Sequence, residues 1–451
     1  MKRLWKAAVA ATGLAMLAGP VMAATPAGAT PPTGYGYDNT PHVIVGGGSD
    51  TTYRAQINLT DLWNASDGCA VSTATDGNMN KCVANASPEV NKGGSYQHDT
   101  VAQANPVGSG SGIASLRNSA AGVIYNGAAN TPGGAAGTEI DFARSSRGPS
   151  GTELTNTTFW GYAQDGVEVT SFGARTAQVQ GAAAPAIPAA DLRKIFNCTY
   201  TQWSQVPGLG ITPGGPDDGP LVPWGMNTGS GTYATFRDYI RTATGDAAFD
   251  PSTTGCDRKL TNGQFPFEND IKPIVNDPAA LSTVATSVDN PKNWIWWGSF
   301  GVFSAFPYTS NYTRSGTQVI AGAVPVNGVL PATNNILANT YTIGRTLYHV
   351  TKKADADCPK TGGVCDFTGN PGPALAAGGT DLNVAGATSG VAGGVREYTR
   401  WICRVSAAQQ GVDTYTGTNF FSGITAAVNK AGFTVVPVGL RAAGTRCQVI
   451  S

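Results

Sequence analysis

Three glycine- and serine-rich turns, each lying between an extended stretch and a helical pattern, constrain the fold of this chain most strongly. They read GGGSDTT at Gly46–Thr52, GSGSG at Gly108–Gly112 and GSGT at Gly229–Thr232. After the third turn, Tyr233 and Phe236 begin an apolar pattern with helical spacing. Repeated units of this kind predict an α/β protein with a mostly parallel sheet, in which ligands bind where strands end and Gly-rich turns begin.

Other segments continue this alternation. Strands are predicted in HVIVGGGSD, TEIDFARSSRGP, VEVTSF and YTIGRTLYHVTKK, and helices in TTYRAQINLTDLWNAS, GSGSGIASLRNSA and PAADLRKIF. A helix followed by a strand is predicted in TNFFSGITAAVNKAGFTVVP. The aromatic run WIWWGSFGVFSAFPY at Trp294–Tyr308 has two interpretations, a sugar-stacking platform or a buried strand or domain interface. The buried interpretation is favoured, because aromatic residues are typical of strands and cores.

The chain begins with the pattern of a secretory signal peptide. Three basic side chains among the first six residues precede the apolar run AAVAATGLAMLAG, and VMA, ending at Ala23, fits a cleavage site. We therefore expect a signal peptide over 1–23 and a Pro/Gly/Ala-rich linker over 24–39. The segment LAGP has Pro20 where a lipoprotein would carry its lipid-bearing cysteine, and no later apolar run is long enough to span a bilayer. The sequence predicts an unanchored periplasmic or secreted protein.

The charge balance limits the kinds of partner. The 451 residues include 29 basic and 29 acidic side chains, so the formal net charge is zero. A broad nucleic-acid-binding surface needs an excess of basic side chains, so no nucleic acid partner is expected. A charged ligand would have to be bound by a few well-placed groups.

Eight cysteines in an exported chain predict disulfide bonds. A metal site is disfavoured, because the sequence has no Cys-x-x-Cys motif and only three histidines, and no other cofactor is predicted. Eight cysteines allow many connectivities, so successive pairing is only one of them. It would join Cys69 to Cys82, Cys198 to Cys256, Cys358 to Cys365 and Cys403 to Cys447.

The three turns have the chemistry of an oxyanion site. Glycines allow close approach of the backbone, Ser and Thr add hydroxyl donors, and a helix N-terminus adds free amides and partial positive charge. The strand end DFARSSR adds Arg144 and Arg147, whose guanidinium groups suit an oxyanion. Each feature also has an ordinary structural interpretation, because Ser, Thr and Asp are common N-caps and surface arginines are commonly solvated. The recurrence of the turn favours a binding site.

Four segments, in order, resemble the phosphate-binding proteins of bacterial ABC transporters: GGGSDTTY, GSGSGIASL, IDFARSSR and GSGTYATFRDYI. LRKIFNCTYTQW and YTIGRTLYHV resemble neighbouring segments of the same family. The similarity runs in pieces from Val43 to Val350 and does not explain the loops around Cys69–Cys82 and Asp246–Asn290.

This resemblance implies an α/β fold of the type II periplasmic-binding class, with two lobes joined by two strands and phosphate held between them. One lobe is expected over 40–169 and 341–451, and the other over 170–340. The implied ligand contacts come from all four segments: Asp50, Thr51, Ser109, the Gly110 amide, Ser146, Ser230, Gly231 and Thr232.

Three positions depart from the family pattern. Ser146 stands where the family has its proton-accepting carboxylate, Met226 stands where it has an arginine, and Thr228 stands where it has the acid that pairs with that arginine. We therefore expect relocated charges, with Asp50 as the proton acceptor and Arg144 or Arg147 as the cation.

The sequence predicts an exported, monomeric solute-binding protein that captures inorganic phosphate or a related oxyanion for uptake through an ABC permease. An enzyme is not predicted. Two alternatives stay open. One is an adhesion or matrix protein that kept the fold without the anion. The other is a secreted phosphoesterase, although the sequence has no G-x-S-x-G motif.

Overall fold

The computed structural model describes part of the chain. The described residues are 43–65, 100–118, 140–172, 185–251, 256–266, 281–305, 321–352, 420–441 and 447–450, with the short pieces 70–71, 82–83, 125–126, 131–132, 268, 274, 276–277, 313–314, 317–318, 360–361, 364–365, 398–399 and 402–403. The predicted signal peptide and linker lie outside them. Among the described helices, none is long and apolar enough to cross a membrane.

Helices and strands alternate along much of the chain, as predicted. The helices are α1 (Tyr53–Ala65), α2 (Ser109–Asn118), α3 (Ala189–Phe196), α4 (Gly231–Thr244), α5 (Phe300–Ala305), α6 (Thr333–Leu337) and α7 (Phe420–Lys430). The strands of the main sheet are β1 (Val43–Gly48), β2 (Thr100–Pro106), β3 (Phe142–Ser145), β4 (Thr157–Phe172), β5 (Val222–Pro223), β6 (Trp294–Ser299), β7 (Ala321–Ala323), β8 (Gly344–Lys352), β9 (Thr434–Val435) and β10 (Gln448–Ile450).

Shorter elements lie between them. Single 3-10 turns occur at Glu153–Thr155, Trp203–Gln205, Pro291–Asn293 and Val438–Leu440. Four separate two-stranded ladders pair Ala70–Val71 with Cys82–Val83, Tyr125–Asn126 with Thr131–Pro132, Thr313–Arg314 with Thr317–Gln318, and Lys360–Thr361 with Val364–Cys365.

The main sheet is mixed. Its strand order is β2-β1-β3-β8-β4-β6-β5, and β7, β9 and β10 also pair with β4. Strand β1 is parallel to both β2 and β3, as the Gly-rich turns predict, whereas β8 runs antiparallel to β3 and β4. The parallel part therefore brings the first two Gly-rich turns to one edge of the sheet.

Strand β4 connects two parts of the molecule. Its 16 residues are all buried. Residues 157–166 pair with β8, and residues 167–171 pair with β6. Strands β4 and β8 are therefore the two crossings that the family resemblance implies.

The hydrophobic core is divided at these crossings. One buried cluster draws on residues between Val167 and Ile343. Two further clusters draw on residues up to Ala163 and from Leu347 onward, together with Val302. The two-lobed α/β fold is thus confirmed. The exact lobe bounds of 40–169 with 341–451 and of 170–340 stay predictions.

The aromatic run forms a buried strand. Trp294, Trp296 and Trp297 on β6 are fully buried. The ring of Trp297 stacks on Phe236 of α4 with centroids 4.7 Å apart. These indoles are inside the second lobe, so they offer no face to a sugar.

Two disulfide bonds follow the successive pairing. Cys198 is joined to Cys256, and Cys403 is joined to Cys447. The first closes a separation of 58 residues in the second lobe, and such a bond stabilises a domain by about 2–4 kcal/mol. The pairings Cys69–Cys82 and Cys358–Cys365 fall on side chains outside the described residues.

Candidate functional site

All three Gly-rich turns open helices at the junction of the lobes. The first precedes α1, the second opens α2, and the third caps α4, where the Ser230 hydroxyl accepts a hydrogen bond from the Thr232 amide at 3.0 Å. Gly108 has φ 94°, and a side chain there would collide with the Gly229 carbonyl oxygen. Glycine is therefore required where the second turn meets the third.

Residues from the two lobes meet at these helix N-termini. The Thr51 and Thr232 hydroxyl oxygens are 3.1 Å apart. In the first lobe, the Ser146 amide donates to the Ser109 hydroxyl oxygen at 3.0 Å, and the two serine hydroxyls are 3.2 Å apart. All four side chains are almost fully buried. The structure thus brings these four predicted ligand residues together.

Gly231 is the point of closest packing. A Cβ atom at this position would lie 2.5 Å from the Ser109 hydroxyl oxygen and would also collide with that of Ser146. Because real Cβ atoms do not approach other atoms this closely, only glycine fits between the two serines in this arrangement.

Two predicted donors already have partners. The Gly110 amide donates to the Gly229 carbonyl at 3.2 Å, which is a hydrogen bond between the lobes. The Ser230 hydroxyl oxygen is engaged in capping α4. The Gly110 amide therefore holds the turns together in this arrangement rather than offering a free donor, and Ser230 keeps only its hydroxyl proton for a ligand.

Arg144 does not supply the cation, contrary to one of the two options from the sequence. Its guanidinium group is fully buried behind β1. All five of its N–H directions are used, by the Gln103 side chain at 2.6 Å and by backbone carbonyls of Gly46, Gly48, Ser49 and Ala104 at 2.9–3.5 Å. Arg144 thus fixes the first turn against β2.

Arg147 lies at the cleft mouth. It pairs with Glu153 through two hydrogen bonds of 2.7 and 2.9 Å. An open cleft of about 410 Å³ contains Arg147, Gly110 and Ser230 in its wall, together with Tyr233 of α4. Arg147 therefore borders the predicted site, but its charge is already balanced by Glu153.

Arg345 is a buried cation at the lobe junction that was not predicted from the sequence. It lies on β8, and its side chain is only 4% exposed. Its Nη1 atom donates to the Thr232 hydroxyl and, at 3.4 Å, to the Ser146 carbonyl. It stands in YTIGRTLYHV as the one Lys, Arg, Asp or Glu residue of the segment, and that lone charge was the available signal.

Asp165 holds Arg345 in place. Its Oδ2 atom accepts from Arg345 Nη2 at 2.6 Å and from Nε at 3.0 Å. The same carboxylate accepts from the Ser299 hydroxyl at 2.8 Å and the Gly301 amide at 2.9 Å. This network stabilises the ionised pair in a buried position.

Asp50 is fully buried at the start of α1. Its Oδ2 accepts a long hydrogen bond of 3.4 Å from the Glu268 amide, and its Oδ1 has no hydrogen-bond partner among the described residues. Burial raises the pKa of Asp50, and the nearby Arg345 lowers it only in part. The open position at Oδ1 can accept a hydrogen bond from a ligand hydroxyl.

The family's usual arginine and acid positions are not used here. Met226 is fully buried in the core of the second lobe. Thr228 lies in the wall of the open cleft. Arg345 and Asp165 form a buried ion pair between the two crossing strands, and the role of Asp50 as proton acceptor stays a prediction.

Comparisons with known proteins agree with this architecture. No curated protein sequence matches the chain significantly. The solved structures that resemble it include the following three. A phosphate ABC transporter substrate-binding protein of Clostridium perfringens, with bound phosphate, is 14% identical with a TM-score of 0.45, and covers 88% of this chain and 100% of its own. An ABC-type phosphate transport receptor of Vibrio cholerae is 16% identical with a TM-score of 0.39, and the match covers 70% of this chain and 88% of that protein. PstS of Borrelia burgdorferi is 17% identical with a TM-score of 0.34, and the match covers 69% of this chain and 87% of that protein.

These identities and TM-scores are low, so no argument about the ligand of this chain rests on them. The family comparison is stronger. The model described as "PBP superfamily domain" matches residues 67–367, which is more than half of the chain. The matched family consists of substrate-binding proteins of transport rather than enzymes. The chain therefore belongs to the PBP superfamily.

Proposed function

We propose that this protein is an exported solute-binding protein that captures phosphate or a similar oxyanion between its lobes. The observation that carries the proposal is the meeting of Thr51, Ser109 and Thr232 with the Arg345 guanidinium at the lobe junction. Hydroxyls, helix N-termini and one guanidinium form a donor-rich cluster, which is the chemistry of oxyanion binding.

The energetics favour a small anion. A hydrogen bond to a charged group contributes about 1.5–3 kcal/mol, so three bonds from Thr51, Thr232 and Arg345 would contribute about 4.5–9 kcal/mol, which spans affinities from roughly millimolar to sub-micromolar. Thr51 belongs to the first lobe and Thr232 to the second, so an anion bound by both favours the closed arrangement. An anion that binds only the closed form shifts the population toward it.

The ligand protonation state follows from Asp50. This carboxyl accepts no hydrogen bond at Oδ1 from the described residues, and a hydroxyl of protonated phosphate would supply one. Sulfate carries no such proton at neutral pH. Asp50 is therefore proposed as the group that separates phosphate and arsenate from sulfate.

The wider setting of the protein is also a proposal. The signal-peptide pattern over 1–23 supports export to the periplasm or the cell exterior, and membership of the PBP superfamily supports delivery to an ABC permease. The lobes would comprise 40–169 with 341–451 and 170–340, and the protein would act as a monomer. The adhesion alternative was favoured by the missing family arginine and acid and by the missing lipid-bearing cysteine. The Arg345–Asp165 pair offers replacement charges for the first two.

Tryptophan fluorescence tests this function, because Trp160 lies on β4, one of the two strands that join the lobes, and lobe closure is expected to change its surroundings. The mature protein is titrated with phosphate, arsenate, sulfate and chloride at constant ionic strength. We expect saturable changes with phosphate and arsenate, a weaker change with sulfate and none with chloride. Absence of any response, with no heat of phosphate binding in calorimetry, would contradict the proposal. Release of phosphate from a generic ester would instead support a phosphoesterase.

A further inference from the structure

Glu268 enters the oxyanion cluster from the loop that the family resemblance did not explain. Its side chain is fully buried. Neither carboxyl oxygen has a hydrogen-bond partner among the described residues, although the Glu268 amide donates to Asp50 at 3.4 Å. A buried carboxyl group that accepts no hydrogen bond is costly to maintain even with Arg345 3.8 Å away, so its presence at this junction calls for a functional explanation.

The groups that face Glu268 come from four elements. Asp50 lies at the start of α1, Thr232 in the first turn of α4, Asp165 on β4 and Arg345 on β8. Arg345 Nη2 is 3.8 Å from Glu268 Oε1 but only 2.6 Å from Asp165 Oδ2. Arg345 is thus mainly neutralised by Asp165, and the cluster holds three carboxyl groups and one guanidinium.

This balance disfavours ionised Glu268 beside a bound anion. Each helix N-terminus contributes roughly +0.5 charge, so α1, α2 and α4 together offset little more than one negative charge. Burial raises the pKa of Glu268 well above its usual value, and the charge of Asp50 raises it further. A protonated Glu268 removes one negative charge and can donate a hydrogen bond to the ligand.

We propose that Glu268 is a ligand-binding residue that takes up a proton when the lobes close on monoanionic phosphate. The inference rests on the proposed function and specifies the chemistry of the same site. In the open protein, Glu268 is hydrated and ionised at neutral pH. On closure, its carboxylate takes one proton from the buffer and donates it toward a phosphate oxygen, while Asp50 accepts a hydrogen bond from a phosphate hydroxyl. Phosphate capture is therefore coupled to proton uptake.

Calorimetry measures this coupling directly. Phosphate is titrated into the full mature protein in buffers of different ionisation enthalpy, at a pH below the second ionisation of phosphate. The number of protons taken up per bound phosphate follows from the dependence of the heat on the buffer. We expect about one proton for the wild type and close to none for Glu268→Gln, with phosphate affinity falling about tenfold per pH unit only in the wild type.

Two further variants make the test specific. Glu268→Asp keeps a titratable carboxyl and is expected to retain proton uptake with weaker affinity. Asp217→Asn removes a carboxylate from the same lobe whose side chain is 43% exposed, and it is expected to behave as the wild type. Circular dichroism checks that each variant is folded. If Glu268→Gln does not fold, the wild-type titration alone still tests whether phosphate binding takes up a proton.

The outcomes separate this inference from the proposed function. Phosphate binding by the wild type without proton uptake, or equal uptake by Glu268→Gln, would overturn the role of Glu268 alone. Failure of the wild type to bind phosphate at any pH would overturn both.

Discussion

Arg345 and Asp165 face each other across the two strands that join the lobes, with Nη2 and Oδ2 2.6 Å apart. Arg345 also donates to Thr232 at the N-terminus of α4 in the second lobe and to the Ser146 carbonyl in the first. One guanidinium group thus contacts the crossing strands and both walls of the site. In the proposed function, closure of the lobes and the positive charge offered to the ligand would therefore depend on the same side chain.

Gly231→Ala is expected to weaken phosphate binding by preventing full closure. The added methyl group would collide with the Ser109 and Ser146 hydroxyl oxygens, which belong to the opposite lobe. Relief of the clash requires the lobes to separate, so we expect a loss of at least about tenfold, or ~1.4 kcal/mol. Calorimetric titration measures it. Gly439→Ala, which has no atom near its added methyl group, is the matched control. Unchanged affinity in Gly231→Ala would show that this contact does not form in the bound protein.

Asp50→Asn is expected to weaken phosphate binding more than sulfate binding. The amide keeps the size of the carboxyl group but loses its charge and offers N–H donors, so it accepts less strongly from a phosphate hydroxyl. A hydrogen bond to a charged group contributes about 1.5–3 kcal/mol, so the phosphate-to-sulfate affinity ratio is expected to fall at least tenfold. Parallel titrations with the two anions measure the ratio. An unchanged ratio would remove Asp50 from proton recognition.

Glu168→Gln is expected to reduce the pH dependence of folding stability. Burial raises the pKa of Glu168 from 4.5 to about 8, and the carboxyl accepts a hydrogen bond from Thr170 at 2.9 Å. Since the folded-state pKa is the higher one, this contribution to the free energy of unfolding is complete below pH 4.5 and is lost as the pH rises to about 8. Each unit of pKa shift corresponds to about 1.4 kcal/mol, so the loss amounts to several kcal/mol.

Denaturant unfolding at a series of pH values measures this effect as the difference between the wild type and Glu168→Gln. The exposed carboxylate of Asp238 provides the control variant, Asp238→Asn. If the stability curves of the wild type and Glu168→Gln run parallel between pH 4.5 and 8, Glu168 does not titrate as the structure indicates.

The features set by local pattern were predictable from the sequence. Helices α1 and α4 follow apolar residues at helical spacing, and the Gly-rich turns before them require close backbone approach. Thr51 and Thr232 both lie where a Gly-rich turn leads into a helix, and their hydroxyl groups converge in the structure. Local chemistry was enough to place these residues in one site.

The length of β4 was not predictable in the same way. Only VEVTSF was identified as a strand, whereas the structure extends it back to Thr157. The preceding residues include Gln164 and Asp165 and do not alternate regularly between polar and apolar types. Their strand conformation depends on pairing with β8, β9 and β10, which lie far along the chain.

The charges of the site could not be assigned from the sequence, because a charged side chain takes its role from its tertiary partners. Arg144 and Arg147 stand three residues apart in DFARSSR, yet one is buried among carbonyl groups and the other pairs with Glu153. Arg345 and Glu268 come from segments without an oxyanion signature, and only the fold brings them to Thr232.

Calorimetric titration of phosphate into the wild type and Arg345→Met, side by side, tests the central claim most directly. Methionine fills much of the volume of arginine but removes its charge and donors, and Arg193→Met, at a partly exposed pair with Asp246, controls for the loss of an arginine. We predict one phosphate bound per wild-type chain, the same for Arg193→Met, and a loss of at least about 100-fold in affinity for Arg345→Met, or ~3 kcal/mol. Wild-type affinity in a folded Arg345→Met protein would contradict the account.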